Sequence, residues 1–178
     1  MIRGEVALGS LRFRPMRALF VAPLAVLVTA GAAVAAPPRA GVLDPGVSLG
    51  GLRLGATQAQ VKTTWGASFG RCRKCPSPTW YFNYRRYRPQ GAAVQFQHGR
   101  VEAIFTLWAP PGWKTSTGLK IGDPSSKISQ LYGPLSRTPC GQYAALVLPM
   151  RGGVNVFYVS NGKLWGFGLL NFLVQPCR

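Results

Sequence analysis

Over residues 79–88 the chain reads TWYFNYRRYR. Alternation with period two puts Trp80, Phe82, Tyr84 and Arg86 on one side and Tyr81, Asn83, Arg85 and Tyr87 on the other, and the aromatic content favours a strand. Residues 92–97 and 100–108 are two further strands, joined by His98-Gly99, a two-residue hairpin signal. The plan returns later in the chain at 142–148, 153–160 and 163–172, with Arg151-Gly152 and Asn161-Gly162 at the turns. Ahead of each set of strands the period changes. Val61 and Trp65, and again Ile128 and Tyr132, stand four residues apart, on one face of a short helix. Thr57 and Gln60 have the spacing of a capping box, and Asp123-Pro124 reads as an N-cap followed by the first helical residue. Gly66 and Gly133 stop the helices, the second reinforced by Pro134. A short glycine-bounded strand is expected before each helix, ahead of Gly55 and Gly122.

These two sets are related by sequence as well as by plan. Leu52, Arg53, Leu54, Gly55, Val61, Trp65 and Gly66 match Leu119, Lys120, Ile121, Gly122, Ile128, Tyr132 and Gly133 at a constant offset of 67. Further on, FQHGRVEAI (96–104) parallels VSNGKLWGF (159–167) at an offset of 63. Two copies of one unit of roughly 65 residues account for both matches. A helix followed by strands joined through tight turns defines an α+β unit with an antiparallel sheet, so the expectation is two tandem repeats, each a short helix plus an antiparallel β-sheet, over 47–110 and 111–178. The two sheets would lie side by side or pack together.

The first segment has another character. Residues 1–17 carry Arg3, Arg12, Arg14 and Arg17 against Glu5, residues 18–36 are uncharged, and Ala33-Val34-Ala35 is a small-x-small site. That is the pattern of a secretory signal peptide over 1–35. The run is also just long enough for an uncleaved anchor, though Pro23, Gly31 and the many alanines make it a mediocre one. Residues 36–46, rich in Pro and Gly, read as a flexible linker. The whole chain has 21 Lys and Arg, 4 Asp and Glu, one His and a formal charge of +17. Beyond Ala35, 17 cations face Asp44, Glu102 and Asp123, a net of +14.

Export places Cys72, Cys75, Cys140 and Cys177 in an oxidising compartment, where two disulfides are the default. Of the three pairings, Cys72–Cys75 with Cys140–Cys177 gives each repeat its own staple. A thioredoxin-like redox use of Cys72-Arg73-Lys74-Cys75 is the alternative, but Pro76, Ser77 and Pro78 follow where that motif opens a helix. A zinc site would need Cys140, Cys177 or His98 to converge on the pair.

The Gly-Leu-x-Leu/Ile-Gly run, the short helix ending in an aromatic residue and Gly, and the aromatic strands with an Asn-Gly-Lys hairpin resemble the tandem-repeat fold of the secreted beta-lactamase inhibitory proteins. They are also similar to small bacterial envelope lipoproteins that share the unit. The resemblance spans about residues 47–172. It implies a sheet face that grips a partner protein through aromatic and polar side chains; this chain departs from that family in being strongly basic.

Catalysis lacks its groups. Asp44 falls in the linker, Asp123 at a helix start and Glu102 on a strand, so no two carboxylates share a site for acid–base work. His98 matches Asn161 at a hairpin turn, where both residue types tolerate left-handed backbone. Ser136 and Ser160 have no histidine partner in prospect, and Gly166-Phe167-Gly168 lacks the third glycine of a dinucleotide fingerprint. No enzyme activity, cofactor or metal is expected. Binding has better material: Tyr81, Tyr84, Arg85, Arg86, Tyr87 and Arg88 set aromatics beside guanidinium groups, the composition of an interface hot spot. Trp108 and Trp113, in the Pro-rich connector between the repeats, are added to the partner-binding set, although they would equally pack the repeats together. Arg71, Arg73 and Lys74 form a basic patch in the first repeat, the more basic of the two. The expected function is a secreted or envelope-located, non-catalytic protein that engages a protein partner through its sheet face, as an inhibitor would. The second reading is a module for an anionic envelope polymer, held by the basic patch. Export disfavours nucleic acid, and a membrane enters only through an uncleaved leader.

Overall fold

The computed structural model describes residues 41–83 and 90–178. Helix α1 (Gln58–Trp65) begins in the expected capping box: Thr57 Oγ1 accepts from Gln60 N and Gln60 Oε1 accepts from Thr57 N. Helix α2 (Ser125–Tyr132) begins differently. Pro124 is its N-cap and no side chain caps it. Asp123, expected as that cap, instead closes the preceding turn, accepting from Lys120 N and from Lys127 Nζ at 2.8 Å. The Lys127 ammonium, with Lys120 N, holds the Asp123 carboxyl below its ordinary range.

The strands are β1 (Val42–Asp44), β2 (Ser48–Leu49), β3 (Gly70–Arg71), β4 (Thr79–Asn83), β5 (Gly91–Gln97), β6 (Arg100–Leu107), β7 (Lys114–Thr115), β8 (Ser136–Pro139), β9 (Ala144–Met150), β10 (Gly153–Ser160) and β11 (Lys163–Leu170). Eight form one sheet in the order β3-β4-β5-β6-β11-β10-β9-β8, and β2-β1-β7 form a small second sheet. The large sheet is antiparallel throughout, so the protein is α+β, mostly sheet, with the sheet continuous from edge to edge. His98-Gly99 and Asn161-Gly162 make matching turns, with φ of 49° and 74° in the first and 49° and 70° in the second.

Three expectations change. Residues 36–46 were expected as a linker, yet Val42–Asp44 is a strand, Leu43 is fully buried, and β1 pairs in parallel with β7. The glycine-bounded strands before the helices reduce to isolated bridges at Leu52 and Lys120, because left-handed Gly51 and Gly55, and Gly118 and Gly122, turn the backbone too often for a strand to extend. Strand β11 stops at Leu170 rather than Phe172: Asn171 Oδ1 accepts from Leu173 N and Asn171 O from Val174 N, which turns the chain away.

Both helices cover one face of the large sheet. Val61, Trp65 and Ile128 bury there with Trp80, Phe82, Val94, Phe96, Ile104, Phe157 and Phe167. Trp113 belongs to this core as well, fully buried, its ring 6.4 Å from that of Trp65. A Cβ on Gly41 would sit 2.7 Å from the Trp113 ring, so the β1 segment closes directly on it. Trp113 is therefore a core residue and not a partner contact.

The opposite face carries a second cluster of Ala93, Ala103, Phe105, Ala145, Val156, Tyr158 and Leu170, with Tyr81, Tyr143 and Trp165 against it. Two bulges decide who stands there. The register shifts between Gln95 and Phe96, leaving Glu102 unpaired, and between Tyr158 and Val159, leaving Trp165 unpaired. Each bulge reverses the alternation, so Val101 faces the helices while Ala103 faces away, and Trp165 faces away while Phe167 faces the helices.

Candidate functional site

Among the described residues no helix covers the second face. The tail after β11 crosses it instead, tied back by the disulfide Cys140–Cys177. Val174 packs on the face, the Arg178 guanidinium lies 5.5 Å from the Phe105 ring, and Arg178 Nη1 donates to Gln95 Oε1 at 3.4 Å. Tyr143 holds this residue twice: its hydroxyl donates to Arg178 O and accepts from Arg178 N. Gln95 Nε2 also donates to the carboxylate of buried Glu102 at 2.7 Å.

Beside the tail a cleft of about 480 Å³ remains, lined by Trp108, Trp165, Tyr143, Tyr158, Ser160 and Arg178 among others. It opens where β6 and β11 part. Their ladder runs from Ala103–Leu170 to Phe105–Gly168, and beyond it Thr106 Oγ1 accepts from Phe167 N at 2.9 Å. The walls are rings in contact. Tyr143 stacks on Trp165 at 5.4 Å, Trp108 meets Trp165 edge-on at 6.0 Å, and Tyr158 meets Tyr143 and Trp165 edge-on at 5.8 and 6.4 Å. Room for Tyr158 comes from β11: a Cβ on Gly166 would fall 3.2 Å from its ring, and one on Gly168 2.8 Å from its hydroxyl. That hydroxyl is buried without a hydrogen-bond partner of good geometry among the described residues. Burial pushes its pKa well above the ordinary tyrosine value, against the pull of the nearby Arg178 charge.

Trp108 is the exposed member of the set, 57% accessible. It and Ala109 take φ of 54° and 48°, left-handed values that cost a non-glycine residue about 1–2 kcal/mol each. Ala109 also precedes Pro110, which restricts it further toward extended backbone. A bulky ring held out to solvent by two disfavoured residues is the pattern of a site whose geometry is kept for use.

Of the residues expected to bind a partner, Trp108 is in this cleft. Tyr81 is on the same face but at the β4 end, its hydroxyl 3.4 Å from Cys75 Sγ. Tyr84, Arg85, Arg86, Tyr87 and Arg88 lie outside the described residues. Arg71, Arg73 and Lys74 are exposed around the Cys72–Cys75 disulfide, at the opposite end of the sheet order from β9. Both disulfides are those expected. Tyr143, Trp165, Tyr158 and Arg178 were not anticipated. Strict alternation groups Trp165 with Phe167, and only the bulge separates them. The carboxylates stay apart: Asp44 accepts from Ser116, Glu102 from Gln95, and Asp123 pairs with Lys127. Among the described residues no three of His, Cys, Asp and Glu cluster as a metal site requires, and no helix is long and apolar enough to cross a membrane.

No protein-family model matches the chain, and no curated protein is similar to it. Among solved structures it is similar to an extracellular protein containing an SCP domain from Bacillus anthracis str. Ames, with 12% identity and a TM-score of 0.50. The match covers 66% of this chain and 44% of that one, so the chain spans less than half the length of that protein. At this identity the likeness is one of fold.

Proposed function

We propose that this is an exported, non-catalytic binding protein that engages a protein partner through the aromatic cleft on the sheet face opposite α1 and α2. The observation that carries the reading is Trp108, held exposed over a 480 Å³ cleft by two left-handed residues. Trp, Tyr and Arg are the side chains that dominate protein interfaces, and three rings and Arg178 already stand in fixed contact here, so little ordering cost remains on binding. The leader-like first segment and the two disulfides support export.

The same reading includes the two-repeat architecture. Gly55 N donates to Val101 O and Gly122 N to Leu164 O; Val101 N donates to Ala56 O and Leu164 N to Asp123 O. Bridges Thr57–Arg100 and Pro124–Lys163, and the bulges at Glu102 and Trp165, fall at the same offsets of 67 and 63. Phe105 pairs with Gly168, the residue 63 positions on, as a pseudo-twofold axis between β6 and β11 would require. The cleft is one place where the copies differ: Tyr158 and Trp165 correspond to Gln95 and Glu102. A shared framework whose aromatic cleft is confined to one copy supports binding at that cleft.

The test is affinity capture from envelope extract and culture supernatant at high salt, run in parallel with wild type, Trp108→Ala and Tyr143→Ala. A single protein retained by wild type and weakened at least tenfold by either variant is the expected result. A partner held equally well by all three overturns the cleft as its site.

A further inference from the structure

The first half of the chain has a one-signed charge that the cleft does not use. From Pro45 to Val101 the sequence has nine Lys and Arg and no Asp or Glu. Among the described residues the one ion pair, Lys127–Asp123, lies in the other half. Charge on an edge strand discourages sheet-to-sheet pairing, but either sign does that. A single sign sustained over this length builds a field that draws anions.

Four of these cations sit together at the β3–β4 edge, and two are held by rings. Phe69 stacks on Trp80 with centroids 3.9 Å apart and planes within 13°. The Lys62 ammonium lies 5.7 Å from the Trp80 ring and the Arg71 guanidinium 5.8 Å from the Phe69 ring. Arg73 and Lys74 project from the loop closed by Cys72–Cys75, directly after Arg71. All four cations are solvent-exposed. Ring contacts restrict the Lys62 and Arg71 side chains before any ligand arrives, and the four-residue disulfide loop restricts the backbone that carries Arg73 and Lys74. Between α1 and this edge lies a second, smaller pocket of about 200 Å³, lined by Gln58, Arg71, Pro78, Thr79 and Trp80. Thr79 Oγ1 already donates to Ser77 O and Trp80 is buried, so the accessible lining is the Gln58 amide, the Arg71 guanidinium and the Pro78 ring, a mixed polarity that matches a sugar ring better than a bare phosphate chain.

We propose that this edge is a second binding site, separate from the cleft, for an acidic polysaccharide carrying carboxylates along its length. Among the described residues the large exposed apolar side chains are Val42, Val47, Trp108, Leu131, Phe172 and Leu173, and none of them belongs to α1, β3, β4 or the Cys72–Cys75 loop, so the described part of the edge offers charge without the apolar anchor a bilayer would engage. One edge of the sheet then holds the protein on an anionic matrix while the cleft stays free for its partner.

Polygalacturonate is the probe, with neutral dextran, polyphosphate and anionic lipid vesicles beside it. Wild type is compared with R71Q/R73Q/K74Q, with K114Q/K120Q/K163Q, which removes the same charge from exposed positions in the other half, and with Trp108→Ala. Circular dichroism confirms that each is folded, and R71K/R73K keeps the charge as a further control. The first triple variant should lose more than tenfold in affinity for polygalacturonate, the second less than threefold, Trp108→Ala should bind as wild type, and R71K/R73K, which keeps the charge but not the guanidinium, should lose less than the first triple variant. Wild-type binding should fall roughly 50-fold between 50 and 200 mM salt if about four anions are neutralised. Equal losses in the two triple variants would reduce the effect to net charge and overturn the site. Loss in Trp108→Ala would move the polymer into the cleft, and tighter binding to vesicles or polyphosphate than to polygalacturonate would overturn the ligand class. Because the protein-partner reading rests on Trp108 and Tyr143, either proposal can fail while the other stands.

Discussion

Tyr158 and the two glycines across from it show how a single side chain shapes the cleft. In sequence, Gly166-Phe167-Gly168 looks like an incomplete nucleotide-binding run; in the fold its glycines are the floor on which the Tyr158 ring lies. Nothing in the sequence pairs residue 158 with residues 166 and 168, because that pairing depends on the bulge at Trp165. Gly168→Ala should cost about 1–3 kcal/mol by forcing the ring aside. The cost should shrink in a Tyr158→Phe background, where the nearest ring carbon stands 3.3 Å from the new methyl rather than the hydroxyl at 2.8 Å. Denaturant titration of the four proteins checks this, and equal costs in both backgrounds would exclude the contact as the cause. The buried phenol also has a pH signature. Its folded pKa is raised by burial above the unfolded value of about 10, so stability is intact below pH 10 and declines as the unfolded chain ionises first above it. Tyr158→Phe should remove this part of the alkaline loss, up to about 1.4 kcal/mol per pH unit. It should change stability at pH 7 by no more than about 1 kcal/mol, since the hydroxyl has no hydrogen-bond partner of good geometry to lose among the described residues.

Helices and hairpins were legible because local chemistry specifies them. Thr57 with Gln60, the glycines after Trp65 and Tyr132, and the His98-Gly99 and Asn161-Gly162 turns each act within four residues. Thr57→Ala should therefore cost about 1 kcal/mol, read from the shift in denaturation midpoint, whereas α2 has no side-chain cap to lose. The elements that were misread depend on distant contacts. Strand β1 exists because β7 lies beside it, some seventy residues on, and a Pro- and Gly-rich context gives no sign of that pairing. The connector after β6 is similar: its tryptophans look alike in sequence, yet Trp113 is buried beneath Gly41 and Gly50 while Trp108 is displayed. The left-handed backbone at Ala109 is the local cost of that display. Ala109→Gly should raise stability by about 1 kcal/mol, since glycine meets no steric penalty there. It should also weaken partner binding by freeing Trp108, a stability gain with a loss of affinity. A gain in both would argue that the Trp108 orientation is unimportant.

At the scale of the molecule the sheet has two faces closed by different means, one by helices and one by a disulfide-tied tail. The sequence separation of the two bridges makes their roles unequal. Cys72–Cys75 spans 3 residues and Cys140–Cys177 spans 37. In the chain-entropy account the short loop contributes about 2 kcal/mol and the long one about 4 kcal/mol. The long bridge also positions Arg178 over Phe105 and Val174 on the second cluster, so its loss uncovers apolar surface that the short bridge never touches. Cys177→Ser with Cys140→Ser should thus lower stability by roughly twice as much as Cys72→Ser with Cys75→Ser. It should also bind a fluorescent apolar dye under conditions where the other variant does not, with the far-UV spectrum of the sheet retained. Equal destabilisation without dye binding would mean that the tail rests on the face without closing it, and that the aromatic face extends well beyond the present cleft.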